Sequence, residues 1–324
     1  MQQHPPRLST EAHHGGLLFS GGWKLKFSKP ATTLDQQINL LIQRGMAIPD
    51  RDYVRHYLTH LNYYRLGGYW LPFELDHASH ASHTFAPGTR FDNVVSLYVF
   101  DRELRLLVMD AVERLEVSVR AQWAYSLAHS YGSHAYLIPA IFKNDDIHQR
   151  CLSNLKDALK RSKEVFIEHY QNNYTAPALP PIWAVVEIMS LGQLSKWVSG
   201  LRHGQDRQAI ARSYGIDEIV LTSFLHHLTI VRNVCAHHGR LWNRRFGFQA
   251  KMPKTPRQLH ESLNLQQPKH LYNTLVMLEY IMNVISPDHH WKRRLMALFE
   301  KHPVVKPEAM GFPIGWQALP IWQQ

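Results

Sequence analysis

The chain has 324 residues, of which 45% are hydrophobic and 19% are charged, as is typical of a globular protein that buries a core in one large domain or two small ones. Lysine and arginine outnumber aspartate and glutamate by 36 to 26, and the formal charge of +10 favours a polyanionic partner, either nucleic acid or an anionic membrane surface. The two cysteines, Cys151 and Cys235, exclude a disulfide framework and a cysteine-rich zinc site.

The N-terminal region is predicted to contain a lead-in and two helices. Residues 1–30 are rich in glycine, histidine and proline, which predicts a flexible segment, and they lack the apolar stretch of a secretory signal. A candidate capping box at residues 33–36 predicts a first helix that ends at Gly45. Asp50 is expected to cap a second helix, which the glycine pair at 67–68 should end.

The central and C-terminal regions are predicted to be helical after a loop at residues 76–90. The strongest helical periodicity runs from Asp92 to Tyr131, with one apolar stripe, and Gly132 is expected to end that helix. Further helical patterns cover residues 145–160, 163–173, 182–200, 205–213, 217–238, 268–285 and 288–301.

The pattern as a whole predicts an all-α protein, because no run of alternating residues and no Asn-Gly hairpin is found. We expect one domain over residues 31–302 and a C-terminal tail over 303–324. The longest apolar stretch, 275–285, is too short to span a bilayer. A soluble, reduced, cytoplasmic protein without membrane association is therefore expected.

Residues 219–260 form a segment without any aspartate or glutamate, called here the acid-free segment. It carries seven basic residues and three interleaved aromatic residues: Arg232, Arg240, Arg244, Arg245, Lys251, Lys254, Arg257, Trp242, Phe246 and Phe248. Basic groups attract phosphates and aromatic faces stack on unpaired bases, so the segment favours polyanion binding. The alternative is that the aromatic residues belong to the core and the basic residues form a solvated rim. A membrane surface is less favoured because no clean basic amphipathic helix is present.

The stretch 231–245, VRNVCAHHGRLWNRR, places two adjacent histidines at a predicted helix end, with Gly239 as the first residue beyond the helix. Asn233 and His237 are four residues apart and share one face. Arg232 lies roughly 140° around the axis from His237 and about 7.5 Å along it. The two therefore meet only if the arginine reaches around, the helix distorts, or a second chain completes the site, which predicts a symmetric dimer.

These residue types suit RNA cleavage without a metal. A histidine can exchange a proton with a ribose 2′-OH or a leaving 5′-oxygen, and an arginine can stabilise the charge on phosphorus. The spacing alone is not specific, because Arg51 and His56 repeat it on an ordinary helix, so the alternative is an exposed helix end. A metal is not expected, since His226 and His237 lie about 16 Å apart along the helix.

The sequence RNVCAHHGRLWNR resembles the hallmark of the Abi-type (AbiD/AbiF-like) abortive-infection proteins of bacteria, and residues 56–74, 85–125 and 179–197 resemble further blocks of that family in order. The resemblance spans roughly residues 24–250. It implies the HEPN superfamily, with a HEPN-like helical bundle that has additional N- and C-terminal helices here, and a metal-independent endoribonuclease that acts as a homodimer.

Carried onto this sequence, the resemblance implies that Arg232 and His237 are catalytic and that Asn233 fills the polar position between them. RNA contacts are expected from neighbouring residues of the acid-free segment: His238, Arg240, Arg244, Arg245, Lys251 and Trp242. The pattern of Asp101-Arg102 and of Glu113, Arg114 and Glu116 also resembles the family. We favour its interpretation as buried ion pairs that brace the motif helix over a catalytic role.

Two functions are consistent with these features. The first is an anti-phage ribonuclease toxin that needs no cofactor and is held in check by a small inhibitory RNA or a neutralising protein. The second is a HEPN module that binds RNA or senses a phage component without cleaving RNA. The sequence leaves open the RNA target and the trigger.

Overall fold

The computed structural model describes residues 28, 30–75 and 83–323. In this part of the chain the protein consists of α-helices and short 3₁₀ turns, with isolated β-bridges but no strand, which confirms the predicted all-α class. The predicted lead-in over 1–30 lies outside the described residues except at positions 28 and 30, and so do residues 76–82 of the predicted loop.

Fourteen α-helices follow one another in the described chain. They are α1 (Leu34–Gln43), α2 (Arg51–Leu61), α3 (Tyr63–Trp70), α4 (Phe91–Tyr131), α5 (Asp145–Arg161), α6 (Val165–Asn173), α7 (Ile182–Val185), α8 (Leu191–Gly200), α9 (Gly204–Arg212), α10 (Glu218–Ala236), α11 (Arg257–Glu261), α12 (Tyr272–Ile285), α13 (Trp291–Lys301) and α14 (Pro320–Gln323).

The chain divides into two compact units after Val99, a position inside α4. Because α4 contributes residues to both units, this division does not test whether 31–302 is one domain, and that assignment stays a prediction.

The first unit contains α1 to α3. The capping box at Thr33 is present, with reciprocal hydrogen bonds to Gln36, and Asp50 caps α2 as predicted. The predicted break at the two glycines is wrong, because the helix breaks at Asn62 instead. Asn62 adopts a positive φ of 64°, which ends α2. Its side chain accepts a hydrogen bond from the N–H of Tyr64, so the same residue also caps the N-terminus of α3.

The second unit is organised around α4 and α10. Gly132 adopts a φ of 89° at the end of α4, as expected of a glycine that ends a helix. The predicted apolar stripe of α4 is buried: Leu104, Leu107, Val108, Ala111, Leu115 and Val119. α10 packs against α8 and α9, and eight of its 19 residues are buried. By length and composition α10 could also cross a membrane, but a buried core helix meets the same criteria.

Two further differences from the prediction concern helix boundaries and the C-terminus. Residues 182–200 form not one helix but two, because Ser190 and Gln193 make a capping box that begins α8 anew. The segment 303–323, predicted as a tail, is packed: Phe312, Trp316 and Trp322 are buried, and the Trp316 ring contacts the rings of the other two.

A buried carboxylate on α4 holds the segment that follows α10. Asp101 is 0% exposed, and it accepts the backbone N–H groups of Leu241, at 3.0 Å, and Trp242. Its side chain also forms an ion pair with Arg105, which donates a hydrogen bond to the Gly239 carbonyl at 3.4 Å. A buried carboxylate is tolerated only when its charge is satisfied, so this network fixes α4 against the end of α10. Asp101 therefore acts as the brace expected from the sequence, with Arg105 rather than Arg102 as its partner.

A second buried carboxylate lies on α12. Glu279 is 1% exposed, and burial raises its pKa to about 7. Asn283 Nδ2 lies 3.4 Å from Oε1, and His289 Nε2 lies 4.0 Å from Oε2. Oε2 has no hydrogen-bond partner among the described residues. Ionisation of Glu279 therefore destabilises the folded state.

Replacing Asp101 is expected to destabilise the fold strongly. In Asp101→Asn the amide cannot match the charge of Arg105, so we expect a loss of about 3–5 kcal/mol in the free energy of unfolding, measured by urea denaturation. Asp157→Asn is the control, because Asp157 is exposed, and it should change stability by less than about 0.5 kcal/mol. Equal and small effects of the two substitutions would contradict the role of Asp101.

The stability of the protein should depend on pH through Glu279. A carboxyl group whose pKa is raised in the folded state takes up a proton on folding. Its contribution to the free energy of unfolding is therefore complete below about pH 4.5 and is lost as the pH rises to about 7. The unfolding free energy of Glu279→Gln minus that of wild type should therefore increase between pH 4.5 and pH 8, by up to about 3 kcal/mol. The exposed control Glu300→Gln should show no such growth. A constant difference between Glu279→Gln and wild type across this range would disprove the assignment.

Candidate functional site

The motif helix α10 ends in a tight turn built from its own backbone. The His238 N–H donates to the Cys235 carbonyl at 3.0 Å, and the Gly239 N–H donates to the Val234 carbonyl at 2.8 Å, which is the Schellman pattern. His238, with a φ of 55°, occupies the left-handed position. The prediction that Gly239 would be the first residue beyond the helix is therefore wrong by one position.

Gly239 lies where the chain passes close to the helix. A β-carbon at this position would lie 3.2 Å from the Val234 carbonyl oxygen and 3.3 Å from its side chain. A side chain here would require the turn or Val234 to shift by a few tenths of an ångström. The turn thus combines a non-glycine residue in a left-handed conformation with a glycine where space is short.

His237 caps α10 and its side chain is exposed. Its backbone N–H donates to the Asn233 carbonyl at 3.0 Å, so the two residues lie one turn apart on the same face, as predicted. The Asn233 side-chain oxygen accepts a hydrogen bond from Arg232 Nη1 at 3.3 Å. Asn233 therefore connects the arginine to the face of the helix that carries His237.

Arg232 lines a groove of about 560 Å³ along α4, called here the α4 groove. The part of α4 in this groove extends from Leu106 to Arg120. Three carboxylates lie on it. Asp110 is paired with Arg114 and Arg294, Glu116 is paired with Arg120, and Glu113 is exposed without an ion-pair partner in the described chain.

Arg232 and His237 leave α10 on different sides of the helix. Five residues of regular helix place them roughly 140° apart around the axis, with Arg232 in the α4 groove and His237 at the exposed helix end. No hydrogen bond joins their side chains within the described residues. The hydrogen bond to Asn233 nevertheless brings the Arg232 guanidinium towards the face that carries His237.

The residues expected to contact RNA separate into two environments. His238, Arg245 and Lys251 are exposed, and Arg240 and Arg244 are half-buried. Trp242 is only 3% exposed, because its backbone is held by Asp101 and its ring lies in the core. The expectation that Trp242 stacks on a base is therefore wrong.

The other aromatic residues of the acid-free segment also pack inward. Phe246 is buried, with its ring 5.0 Å from that of His227, and Phe248 is half-buried against His226 at 4.5 Å. The segment thus has a solvated basic rim over an aromatic core, which is the arrangement given above as the alternative. The rim can contact phosphates, whereas the buried rings of Trp242 and Phe246 cannot stack on a base.

Two potentially reactive groups near the motif are inert. Burial raises the pKa of Cys235 to about 12, so its thiol is protonated at neutral pH. Burial lowers the pKa of His227 to about 4, and the ring is hydrogen-bonded to Thr274 at 2.8 Å. Among the described residues, no group of three or more His, Cys, Asp or Glu side chains is arranged to hold a metal ion.

The proximity of the groove carboxylates to Arg232 was missed in the sequence. The interpretation of Glu113 as part of a buried ion pair is wrong, since this side chain is exposed and unpaired in the described chain. A signal was present: Leu106, Met109, Glu113 and Val117 recur at helical spacing on the face opposite the buried stripe of α4. The sequence does not show that Arg232 lies beside this face, and without that neighbour the face cannot be identified as part of a groove.

Comparison with families of known proteins gives one assignment. No curated protein and no solved structure matches the chain. The family model described as Abi-like protein matches residues 56–243, which is more than half of the chain and includes all of α4 and α10 and the turn after α10. The chain therefore belongs to the family of Abi-like proteins, which act in abortive infection, the anti-phage response of bacteria.

Proposed function

We propose that this protein is an anti-phage endoribonuclease of the AbiD/AbiF-like type within the HEPN superfamily, and that it cleaves RNA without a metal. The observation that carries the proposal is the arrangement at the end of α10, where an exposed His237 follows an Arg232–Asn233 hydrogen bond by one helical turn. This arrangement lies in the acid-free segment, where no carboxylate of the same segment repels a phosphate.

In the proposed reaction the ribose 2′-oxygen attacks the adjacent phosphorus and the bond to the 5′-oxygen breaks. One His237 accepts the 2′-OH proton, and a second histidine donates a proton to the leaving 5′-oxygen. Arg232 stabilises the charge that develops on the phosphoryl oxygens. Asn233 orients the Arg232 guanidinium through the hydrogen bond described above. The products carry a 2′,3′-cyclic phosphate and a 5′-hydroxyl.

A second copy of the chain is proposed to supply the second histidine of this reaction. Because Arg232 and His237 face different directions on α10, a symmetric dimer with two α10 ends facing each other offers each phosphate an arginine and two histidines. The proposed enzyme is therefore a homodimer in the cytoplasm, with no cofactor.

The basic rim of the acid-free segment is proposed to hold the RNA backbone. His238, Arg245 and Lys251 are exposed and Arg240 and Arg244 are half-buried, so these five residues can contact phosphates. A small structured RNA that resists cleavage, or a neutralising protein, is proposed to occupy this rim in uninfected cells. Such an inhibitor is needed because a free ribonuclease of this kind is a toxin to its host.

A non-cleaving module that binds RNA or senses a phage component is the alternative function. It is favoured by one observation, the carboxylates of Asp110, Glu113 and Glu116 in the groove that contains Arg232. Negative charge beside the arginine repels a phosphate and weakens the stabilisation that cleavage needs. The alternative keeps the basic rim as the binding surface and assigns Arg232 to structure.

Cleavage should depend on Arg232 and His237 and should persist in EDTA. Incubated with total RNA, wild-type protein is expected to produce 2′,3′-cyclic phosphate ends, whereas Arg232→Ala and His237→Ala should lose about 10²–10⁴-fold in rate. The matched control is His56→Ala, because His56 is also exposed and also follows an arginine by five residues. It should cleave like wild type.

Three outcomes decide between the functions. Cleavage that needs Mg²⁺, or that survives His237→Ala, would contradict the proposed chemistry. RNA binding without cleavage by wild type and all variants would support the non-cleaving module.

RNA affinity should be salt-dependent and should fall when one rim charge is removed. In the His237→Ala background, Lys251→Ala is expected to weaken binding and to reduce the slope of log affinity against log salt by about 0.7–0.9, the value for one phosphate contact. Fluorescence anisotropy at several salt concentrations measures both. Lys163→Ala is the control, since Lys163 is exposed but lies outside the acid-free segment. An unchanged slope in Lys251→Ala would exclude this residue from the RNA contact.

A further inference from the structure

A groove between α5 and α8 carries positive charge that the described chain does not neutralise. It has a volume of about 600 Å³ and is called here the α5–α8 groove. Three basic residues line it, and no carboxylate of the described chain does: Lys143, Arg150 and Lys196. All three are exposed, and none of them forms an ion pair with a described residue. Like charges that line one groove repel one another, so the groove favours an anionic ligand.

Hydrogen bonds fix Lys143 against the end of α8. Its backbone N–H donates to the Gly200 carbonyl at 2.9 Å, and its Nζ donates to the Ser199 carbonyl at 2.6 Å. Partial burial lowers the pKa of Lys143, and the charge of Arg207 lowers it further. The ammonium group is therefore held in place among other positive charges, and a bound anion would relieve their repulsion.

Arg150 and Lys196 approach the middle of the groove from the two helices. Burial raises the pKa of the Cys151 thiol, whereas the charges of Lys196 and Arg150 act to lower it, so both cations lie near the thiol. Cys151 is buried and lines the groove, so it belongs to the floor. The helices are close together there, because a β-carbon at Gly200 would lie 3.0 Å from the side chain of Ile147, which also lines the groove. The charges of both helices therefore lie around one cleft.

Neutral hydrogen-bond donors add to the charged ones. The Ser153 hydroxyl and the Asn154 side-chain amide line the groove, and neither group is hydrogen-bonded to a described residue. Ammonium, guanidinium, hydroxyl and amide groups together match the several acceptor oxygens of a phosphate. No aromatic ring among the described residues lines the groove to stack on a base. This lining suits the phosphate backbone of a nucleic acid, without recognition of its bases.

The α5–α8 groove lies towards the beginning of α10, whereas the motif lies at its end. Arg207 pairs with Glu218, the first residue of α10, and donates a hydrogen bond to the Leu201 carbonyl at the end of α8. The charges of Arg207 and Glu218 also act on Lys143. His237 caps the other end of α10, about 28 Å along the helix. A ligand therefore contacts both the groove and His237 only if it is long.

We propose that the α5–α8 groove is a second RNA-binding surface, in which Lys143, Arg150 and Lys196 hold phosphates of the RNA backbone away from the cleavage site. RNA is named as the ligand on the strength of the proposed function, whereas the uncompensated charge of the groove is independent of cleavage. Contacts to phosphates position an RNA without selecting its sequence. An RNA long enough to reach both ends of α10 is held at two places, so it binds more tightly than a short one.

Removing two charges from the groove should weaken RNA binding. In the His237→Ala background, which is the parent protein for this test, the double variant Arg150→Ala/Lys196→Ala is expected to bind a long single-stranded RNA less tightly. The slope of log affinity against log salt should fall by about 1.4–1.8, the value for two phosphate contacts. Fluorescence anisotropy at several salt concentrations measures both. An unchanged slope would overturn the proposal.

The matched control is the double variant Arg161→Ala/Lys163→Ala. These two residues are also exposed and have no ion pair in the part of the chain that the structure describes, but the carboxylates of Glu164 and Glu187 line the same surface. The control loses the same charge, and its slope should stay within about 0.3 of that of the parent. A fall equal to that of the groove variant would show that any two surface charges have this effect, and would overturn the groove as a site.

A charge-conserving variant separates the effect of charge from that of folding. Arg150→Lys/Lys196→Arg keeps both positive charges, so its slope should match that of the parent. The alanine variant should unfold in urea at the same midpoint as the parent, because the two side chains it removes are exposed and have no ion pair in the described chain. A slope that falls equally in both variants would contradict binding through charge.

A free nucleotide is the other source of a phosphate group. Adenosine monophosphate, titrated into the parent protein by calorimetry, is expected to show no saturable binding at micromolar concentrations, because no ring among the groove's described residues can stack on its base. Saturable binding that Arg150→Ala/Lys196→Ala abolishes would overturn the assignment to RNA and make the groove a nucleotide site.

The outcome is separable from that of the ribonuclease assay because binding is measured in a variant that lacks His237. A reduced slope in the groove variant of a protein whose wild type never cleaves RNA would support the groove and reject the nuclease. RNA cleavage by wild type together with an unchanged slope in the groove variant would reject the groove and keep the chemistry of Arg232 and His237.

Discussion

A carboxylate without access to solvent must have its charge satisfied by the protein, and Asp101 satisfies its charge with the turn that follows α10. Two backbone N–H groups and the Arg105 guanidinium converge on it. Because Arg105 also reaches the Gly239 carbonyl, the end of α10 is fixed against α4. The position of Arg232 in its groove and the exposure of His237 both follow from this attachment. The candidate site is therefore set by a charge that belongs to a neighbouring helix.

The two sides of that attachment differ in charge. The acid-free segment directs its aromatic rings into the core and its basic side chains to solvent, whereas α4 presents carboxylates along the groove. The same arrangement leaves the basic rim for a polyanion. At this attachment, the charge that favours a polyanion is therefore confined to the acid-free segment.

The sequence predicted those features of the fold that are determined by residues close together in the chain. The capping residues Thr33 and Asp50 and the apolar stripe of α4 were read correctly because caps and helical spacing act within a few residues. The break at Asn62 was missed because a side chain that caps the next helix replaces the expected glycine. The burial of Trp242 and the exposure of Glu113 depend on contacts with distant residues, which spacing does not contain. For the candidate site, the directions of Arg232, Asn233 and His237 around α10 followed from helix geometry, but the groove did not.

The left-handed backbone of His238 has an energetic meaning for the evolution of this site. A β-carbon in that conformation costs on the order of 1 kcal/mol relative to glycine, although histidine tolerates it better than branched residues do. Glycine at this position would relieve the backbone strain. A histidine at this position therefore lowers the stability of the protein slightly and places an imidazole ring next to the exposed His237.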